Sequence, residues 1–483
     1  MKAVWHRNDL RLMDNRALDA AGEGAAPVYV VDEGWWDSEM VSPARKKFVL
    51  ECLEDLDRRY RSRGSSLTVL EGEPLEVLED LEHDIYFSQD MNVLDRDQEK
   101  EARKRFMSVP KGVVRPGKNS RQNWSERVDE YFSSEMLRPP EELSELEREG
   151  IELHKIRDKI GKPGKESFGE GGAKAGRRRL ESFLEDIEQY PGCISPPDRA
   201  ESGTSHLSPY LRHGAISPRE AHQRAETRKE DAPGGVEMFQ ERLVWHQHFR
   251  QKIEDNPELP EEAINPVYRD LHRHQRDDEL VESWKNGETG YPLVDASMRA
   301  LKQTGWLNFR MRAMCASFFS YILKQWWKIG ADHFFKHLID ADVAINYYQW
   351  QMQSGLVGVH ANRIYDPVKQ VRENDPEGRF IGKYVPELED VPEEFLAEPW
   401  KMPEELQEET GTVIGRDYPE PVVNYQREAS KARDFFDSKA SQAYSAFRDD
   451  EVWRKASLSS RHSRQQILEK ANSVQKDLEQ FGT

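Results

Sequence analysis

The sequence predicts two unlike domains in tandem: an N-terminal α/β domain built on a doubly wound parallel sheet, followed by an all-α domain. Three observations carry this. Over residues 1–132, short apolar runs alternate with amphipathic helical stretches, the order that places helices on both faces of a parallel sheet. From Arg177 to about Asp437 almost every segment has helical periodicity. Between them, residues 133–176 turn first proline-rich and acidic, then glycine-rich and basic, which reads as a connector, mobile at its glycine-rich end. The expected organisation is therefore 1–132, a 133–176 connector, a helical domain over 177–440 and a charged helical tail over 441–483.

In the first domain AVWH (3–6), PVYVVD (27–32), SLTVL (66–70), DIYFS (84–88) and GVVRP (112–116) read as strands. SPARKKFVLECLEDLDRRY, PLEVLEDL and VLDRDQEKEARKRFM read as the helices between them. The first strand runs into HRNDLR, not a Gly-x-Gly-x-x-Gly turn, so a dinucleotide site in this half has little support. In the second domain RRRLESFLEDIEQY, SPREAHQRAETRK, VEMFQERLVWHQHFRQKIED, LVDASMRALKQ, the 308–327 segment, ADHFFKHLID and REASKARDFF read as helices. WRKASLSSRHSRQQILEKANSVQKDLEQF reads as one terminal helix.

With 483 residues, 37% of them hydrophobic, the chain has ample material for two or three cores. No run of about twenty apolar residues suits a membrane span, and the charged start lacks a signal core. Cys52, Cys193 and Cys315 lie far apart, so neither disulfides nor a metal site is expected. A cytoplasmic monomer follows. The net charge of −19 opposes a polyanionic partner, unless the acid is a solvated coat suited to high salt, which screens the repulsion.

Five motifs suggest chemistry. VWHRNDLRLMDNRAL (4–18) sets Arg7, Asp9, Arg11 and Asp14 after the first strand, and an ordinary loop with local ion pairs is its plain reading. TSHLSPYLRHGAISPREAH (204–222) offers hydroxyls at Thr204, Ser205 and Ser208 with backbone amides entering a helix. That is a cradle for a pyrophosphate or simply helix capping, and Ser217-Pro218 caps the next helix. In the 308–350 block, Phe309, Arg312 and Ala316 share one helical stripe, and Asp342, Asn346 and Trp350 share another, with Asp340 just before it. Capping by Asp340 plus a surface ion pair to Arg312 is the plain alternative there. Trp327 and Trp350 form a tryptophan pair, for which core packing is the alternative. FQERLVWHQHFRQKIED (239–255) places Trp245 amid polar residues on one helix.

Taken together, these strings resemble the photolyase/cryptochrome family, from Met1 through FIGKYVPEL (380–388) and most densely over 284–388. The resemblance implies an N-terminal antenna domain holding folate or deazaflavin, and a helical domain holding a U-shaped FAD. Carried over residue by residue, the FAD contacts would be Tyr190, Thr204, Ser205, His206, Leu207, Ser208, Trp306, Arg312, Asp340, Ala341, Asp342 and Asn346. Arg312 and Asp340 would pair against the isoalloxazine, and Asn346 would face N5, asparagine being the photolyase-like choice. Trp350 and Trp327 match the first two members of the electron relay. His274 stands at the third, where Trp326 or Tyr321 could substitute.

On the substrate side Trp245 matches a lesion-packing tryptophan, while Arg242 (unless Glu241 takes that role), Phe309 and Met352 depart from the pattern. Arg310, Arg363 and Lys369 are phosphate-contact candidates in the rim resemblance, surface charges otherwise. The implied function is light-driven repair of pyrimidine dimers in UV-damaged DNA by electron transfer from reduced FAD. A blue-light photoreceptor of cryptochrome type is the alternative.

Overall fold

The structure is a computed structural model that describes residues 1–483 except 94, 114–122, 162–168, 360–362, 459–461 and 482–483, and leaves the side chains of 473–481 undescribed. Five parallel strands, β1 (Lys2–His6), β2 (Ala26–Val31), β3 (Thr68–Glu71), β4 (Asp84–Ser88) and β5 (Met107–Val109), lie in the order β3-β2-β1-β4-β5. The direction of winding reverses at β1, the doubly wound arrangement. Every residue of β2 is buried, as expected of a strand covered on both faces. The helices α1 (Arg16–Ala21), α2 (Pro43–Arg61), α3 (Pro74–Glu79) and α4 (Arg96–Arg105) supply the cover. Asn15, Ser42, Glu73 and Asp95 cap them by accepting from first-turn amides.

Four strands fall where the apolar runs place them. The fifth does not: it is Met107–Val109, not 112–116. Of the expected run, residues 114–116 lie outside the described residues. Val113 is buried, but its backbone serves Gln247 and Gln251 of the helical domain at 3.4 and 2.7 Å, so this apolar residue seals a domain seam instead of extending the sheet.

The described part of the connector is pinned to the α/β domain. The Ile151 amide donates to Val69 O at 2.8 Å, Ser65 Oγ to Ser144 O at 2.7 Å and the Ala173 amide to Asp55 Oδ2 at 2.9 Å. Part of the glycine-rich end expected to be mobile, 162–168, lies outside the described residues. Gly171 serves close packing, since a Cβ there would collide with the Phe48 carbonyl on α2.

The helical domain contributes α5 (Ala173–Glu185), α6 (Pro233–Arg250), α7 (Pro292–Thr304), α8 (Phe309–Ser317), α9 (Trp327–His337), α10 (Val343–Gln353), α11 (Tyr425–Ser445), α12 (Asp450–Ala456) and α13 (Arg464–Phe481). The 308–327 stretch is not one helix. After α8 the backbone widens into a π-helical turn over Phe318–Ile322, and Lys324 takes φ 55°, so Trp327 opens α9 where it was expected to close the preceding helix. The terminal stretch is likewise two helices, parted after Ser457 at φ 47°. The 440/441 boundary falls inside α11, which packs along α13. Among the described residues no helix is long and apolar enough to cross a membrane.

A buried ion cluster joins the two domains. Asp90, just past β4, accepts two bonds of 2.8 Å from Arg250 at the end of α6 and one of 3.0 Å from Lys111. Arg250 Nε also lies 3.2 Å from Asp342 Oδ2. Burial alone would raise the Asp90 carboxyl, but Arg250, Lys111 and Arg212 hold it well below the ordinary range. Removing one member of a buried cluster strands the others. Arg250→Met is therefore expected to lower the unfolding free energy by roughly 3–5 kcal/mol, measured by chemical denaturation; a loss below about 1 kcal/mol would place the cluster among weak surface pairs.

Candidate functional site

The two stripes expected from the 308–350 block meet across one pocket. Its lining includes Phe309, Arg312 and Ala316 from α8, and Asn346, Trp350 and Gln353 from α10, with Asp340, Ala341 and Asp342 in the turn between α9 and α10. Arg312 is held at both ends: Nε donates to Leu307 O at 2.7 Å, and Nη2 to Asp340 Oδ2 at 2.9 Å. Asp342 Oδ1 caps α10 by accepting from the Ile345 amide at 3.0 Å, while its Oδ2 faces Arg250. Each carboxylate thus faces a guanidinium, Asp340 that of Arg312 and Asp342 that of Arg250, which is shared with Asp90.

Asn346 Nδ2 donates to Ala331 O at 3.0 Å. That bond fixes the amide orientation, because the flipped form would set oxygen against oxygen. Asp340 Oδ1, Gln349 Oε1 and Gln353 Oε1 are buried with no hydrogen-bond partner among the described residues, and all three residues line the pocket. Buried acceptors rarely stay unpaired, so the pocket suits a ligand carrying N–H and O–H groups. FAD, with ring N–H and ribityl hydroxyls, fits that requirement; an apolar ligand does not. The two glutamines escaped the sequence reading, although 346, 349 and 353 continue one helical stripe. Arg250 and Asp90 left no such signal.

Trp350 packs edge-on to Trp284 at 5.9 Å and to Phe334 at 5.2 Å. Gly330 of α9 faces its indole so closely that a Cβ would collide with it. Trp327 lies against Tyr347 at 6.3 Å, and the Trp326 ring carries the Arg273 guanidinium at 5.3 Å. Tyr321 packs on Phe436 at 4.9 Å, and His274 is exposed.

The residues expected at the far end of a cofactor sit outside this lining. Thr204 Oγ1 donates to Ala200 O at 2.7 Å, and Ser205 Oγ accepts from the Leu207 amide at 3.4 Å, so both hydroxyls serve their own loop. His206, at φ 49°, stacks on Trp306 at 4.2 Å, which brings the loop beside the approach to α8. Ser208 opens a five-residue helix, Ser208–Arg212, whose Arg212 Nε donates to Ala341 O at 2.7 Å. Ser217 caps the next helix as expected, accepting from the Glu220 amide at 3.0 Å. Tyr190 packs on Phe183 at 5.2 Å, and the Arg242 charge acts on its hydroxyl.

At the mouth Phe309 is 53% exposed. Trp245 donates to Glu241 Oε1 at 3.2 Å and stacks on Phe249 at 5.6 Å, and Met352 is half-buried. Arg310 reaches Ser195 Oγ at 3.4 Å, and Lys369 pairs with Glu373 at 3.5 Å. Arg363 is exposed, with no carboxylate paired to it among the described residues.

Comparison with known proteins agrees with this geometry. The family model for the FAD binding domain of DNA photolyase matches residues 239–438, and that for DNA photolyase matches 2–114. The chain is 30% identical to a protein of Natronomonas pharaonis named Cryptochrome DASH, over 87% of this chain and 97% of that one. It is 31% identical to a deoxyribodipyrimidine photo-lyase of Streptomyces griseus, covering 87% and 96%. The solved archaeal photolyase of Sulfolobus tokodaii, described with two FAD molecules, superposes with a TM-score of 0.75 at 25% identity, over 91% and 100%. The chain belongs to the photolyase/cryptochrome family.

Burial pushes His206 down to about 4, helped by Arg179, and likewise pushes His337 down to about 4 and His246 to about 3. These imidazoles are neutral in the folded state but take a proton near pH 6.5 when unfolded. The unfolded chain then binds more protons, so their contribution is present above pH 6.5 and is lost as pH falls through about 4. Unfolding free energy measured from pH 7 to 4 is expected to decline by up to about 1.4 kcal/mol per pH unit for each such group. A flat profile would mean that the three rings are not held neutral.

Proposed function

We propose that this protein is a light-driven DNA-repair flavoenzyme that splits pyrimidine dimers, acting as a cytoplasmic monomer on UV-damaged DNA. The observation that carries the reading is Asn346: a neutral amide, locked by Ala331 O at 3.0 Å, on the wall that also carries the Arg312–Asp340 pair. When bound there, reduced FAD supplies the excited electron that opens the cyclobutane ring. Asn346 can accept a hydrogen bond yet has no acidic proton to give, which favours an anionic reduced cofactor. Arg312, Asp340, Asp342, Gln349 and Gln353 would hold the ring and ribityl portions. Thr204 to Ser208 with Trp306 would flank the diphosphate, and Tyr190 the adenine side. Trp350 and Trp327 would carry electrons inward.

Exposed Phe309 and half-buried Trp245 offer aromatic faces to a base turned out of the duplex. Arg363, Arg310 and Lys369 supply cations for flanking phosphates, with Arg363 the least engaged. A folate or deazaflavin antenna in the α/β domain completes the reading. The second reading, a cryptochrome-type photoreceptor, is favoured by Arg242, Phe309 and Met352, which depart from the family pattern that the sequence resembles.

Illuminating reduced, FAD-loaded protein with a dimer-containing oligonucleotide should restore intact thymines. No restoration, with normal cofactor photoreduction, would select the photoreceptor. Asn346→Asp should retain FAD but raise the barrier to electron transfer by at least about 1.4 kcal/mol, a tenfold loss of repair rate. Undiminished repair in that variant would remove Asn346 from the mechanism.

A further inference from the structure

Tyr347 lies on α10 beside Asn346, 5% exposed, with its ring edge-on to Trp327 at 6.3 Å and stacked on Phe335 at 5.7 Å. Its hydroxyl donates to Asp332 Oδ1 at 2.6 Å. Asp332 is itself one-third exposed and bridged through both oxygens to Lys328 at 3.1 Å, and Lys328 also lies 3.6 Å from Glu261. A buried redox-active phenol is thus joined by one hydrogen bond to a carboxylate at the surface.

We propose that Tyr347 is the terminal electron donor of the relay in this protein, with Asp332 as the base that takes its proton. The proposal rests on the flavin reading above. An electron leaves Tyr347 for the oxidised indole of Trp327, which returns to neutral tryptophan. The phenolic proton moves along the hydrogen bond to Asp332, leaving a neutral tyrosyl radical and a carboxylic acid. Upstream, Trp327 has reduced Trp350, and Trp350 has given one electron to photoexcited oxidised flavin, the oxidant. A thiolate in solution then gives one electron to Tyr347 and becomes a thiyl radical, as Asp332 returns the proton.

Three features favour this route. Trp327 Nε1 is buried with no hydrogen-bond partner among the described residues, so an oxidised Trp327 has no base at hand there and keeps its positive charge, which makes it a strong oxidant of its neighbour. Trp326 already carries the Arg273 guanidinium over its ring, and that charge opposes a second positive charge there. Tyr347 faces Lys328 Nζ at 5.4 Å, but Lys328 is shared by Asp332 and Glu261, so the cluster is net negative and favours loss of an electron. Burial and the Asp332 charge also raise the Tyr347 hydroxyl well above its ordinary range, so the resting group is the protonated phenol that the step requires.

Flash excitation of the full chain loaded with oxidised FAD, followed by transient absorption and electron paramagnetic resonance, tests this. The wild type should yield a neutral tyrosyl signal that forms more slowly in deuterated water. Tyr347→Phe should lose that signal and leave a tryptophan radical that decays by recombination. Asp332→Asn should slow tyrosyl formation. Bound flavin with tryptophan radicals alone in the wild type, or a tyrosyl signal that survives Tyr347→Phe, overturns the assignment of Tyr347. Unchanged kinetics in Asp332→Asn overturns the assigned base. Failure to take up FAD at all sinks both this proposal and the flavin reading.

Discussion

Asp90 and Asp342 belong to different domains, and both reach Arg250 in the interior, at 2.8 and 3.2 Å. A guanidinium buried without partners would be costly; Arg250 has two carboxylates around it, and Lys111 and Arg212 lie beside Asp90 as well. The position of α10 follows. Asn92, two residues beyond Asp90, sends Oδ1 to the Ala344 amide at 2.9 Å, so a side chain of the α/β domain satisfies a first-turn donor of the helix that lines the pocket. Arg212 ties the same turn through Ala341 O and reaches back to Asn92 O at 2.8 Å. The pocket wall is therefore registered against the sheet by charge and hydrogen bonds, not by apolar contact alone.

That registration explains how a polar pocket survives inside an apolar core. Arg312 and Asp342 each spend part of their bonding capacity on the protein, which sets their angle, and Asp340 leaves one oxygen unused. Gly330 lets α9 approach the Trp350 indole, and α9 carries Ala331, whose carbonyl holds Asn346. One helix thus places both the aromatic wall and the amide. The surface is governed differently. Its net charge of −19 is dispersed among solvated acidic runs, while the buried cluster between the domains gathers three cations around Asp90. Overall charge therefore says little about the field inside the site.

The residues proposed for the substrate side are largely engaged within the protein itself. The Arg242 charge acts on the Tyr190 hydroxyl, and Trp245 leans on Phe249 with its indole N–H donating to Glu241. Phe309 keeps half its surface in solvent at the first turn of α8.

Four strands, most helices and both pocket-lining stripes were legible in the sequence, because a short apolar run along a strand and the recurrence of 342, 346 and 350 on a helix are properties of one local segment. Where local signals misled, a tertiary partner had claimed the residues. Val113 reads as strand but seals the seam with Gln251, and Gly171 reads as flexible but admits the Phe48 carbonyl. The Thr204 and Ser205 hydroxyls, proposed to flank a diphosphate, also bond within their own loop, a contact that no spacing announced. Only the folded chain decided that Arg250 meets Asp90 across 160 residues, or that Tyr347 faces Asp332 and Trp327. Helical periodicity says which residues share a face; which faces meet depends on packing between segments distant in the chain, and no spacing encodes that.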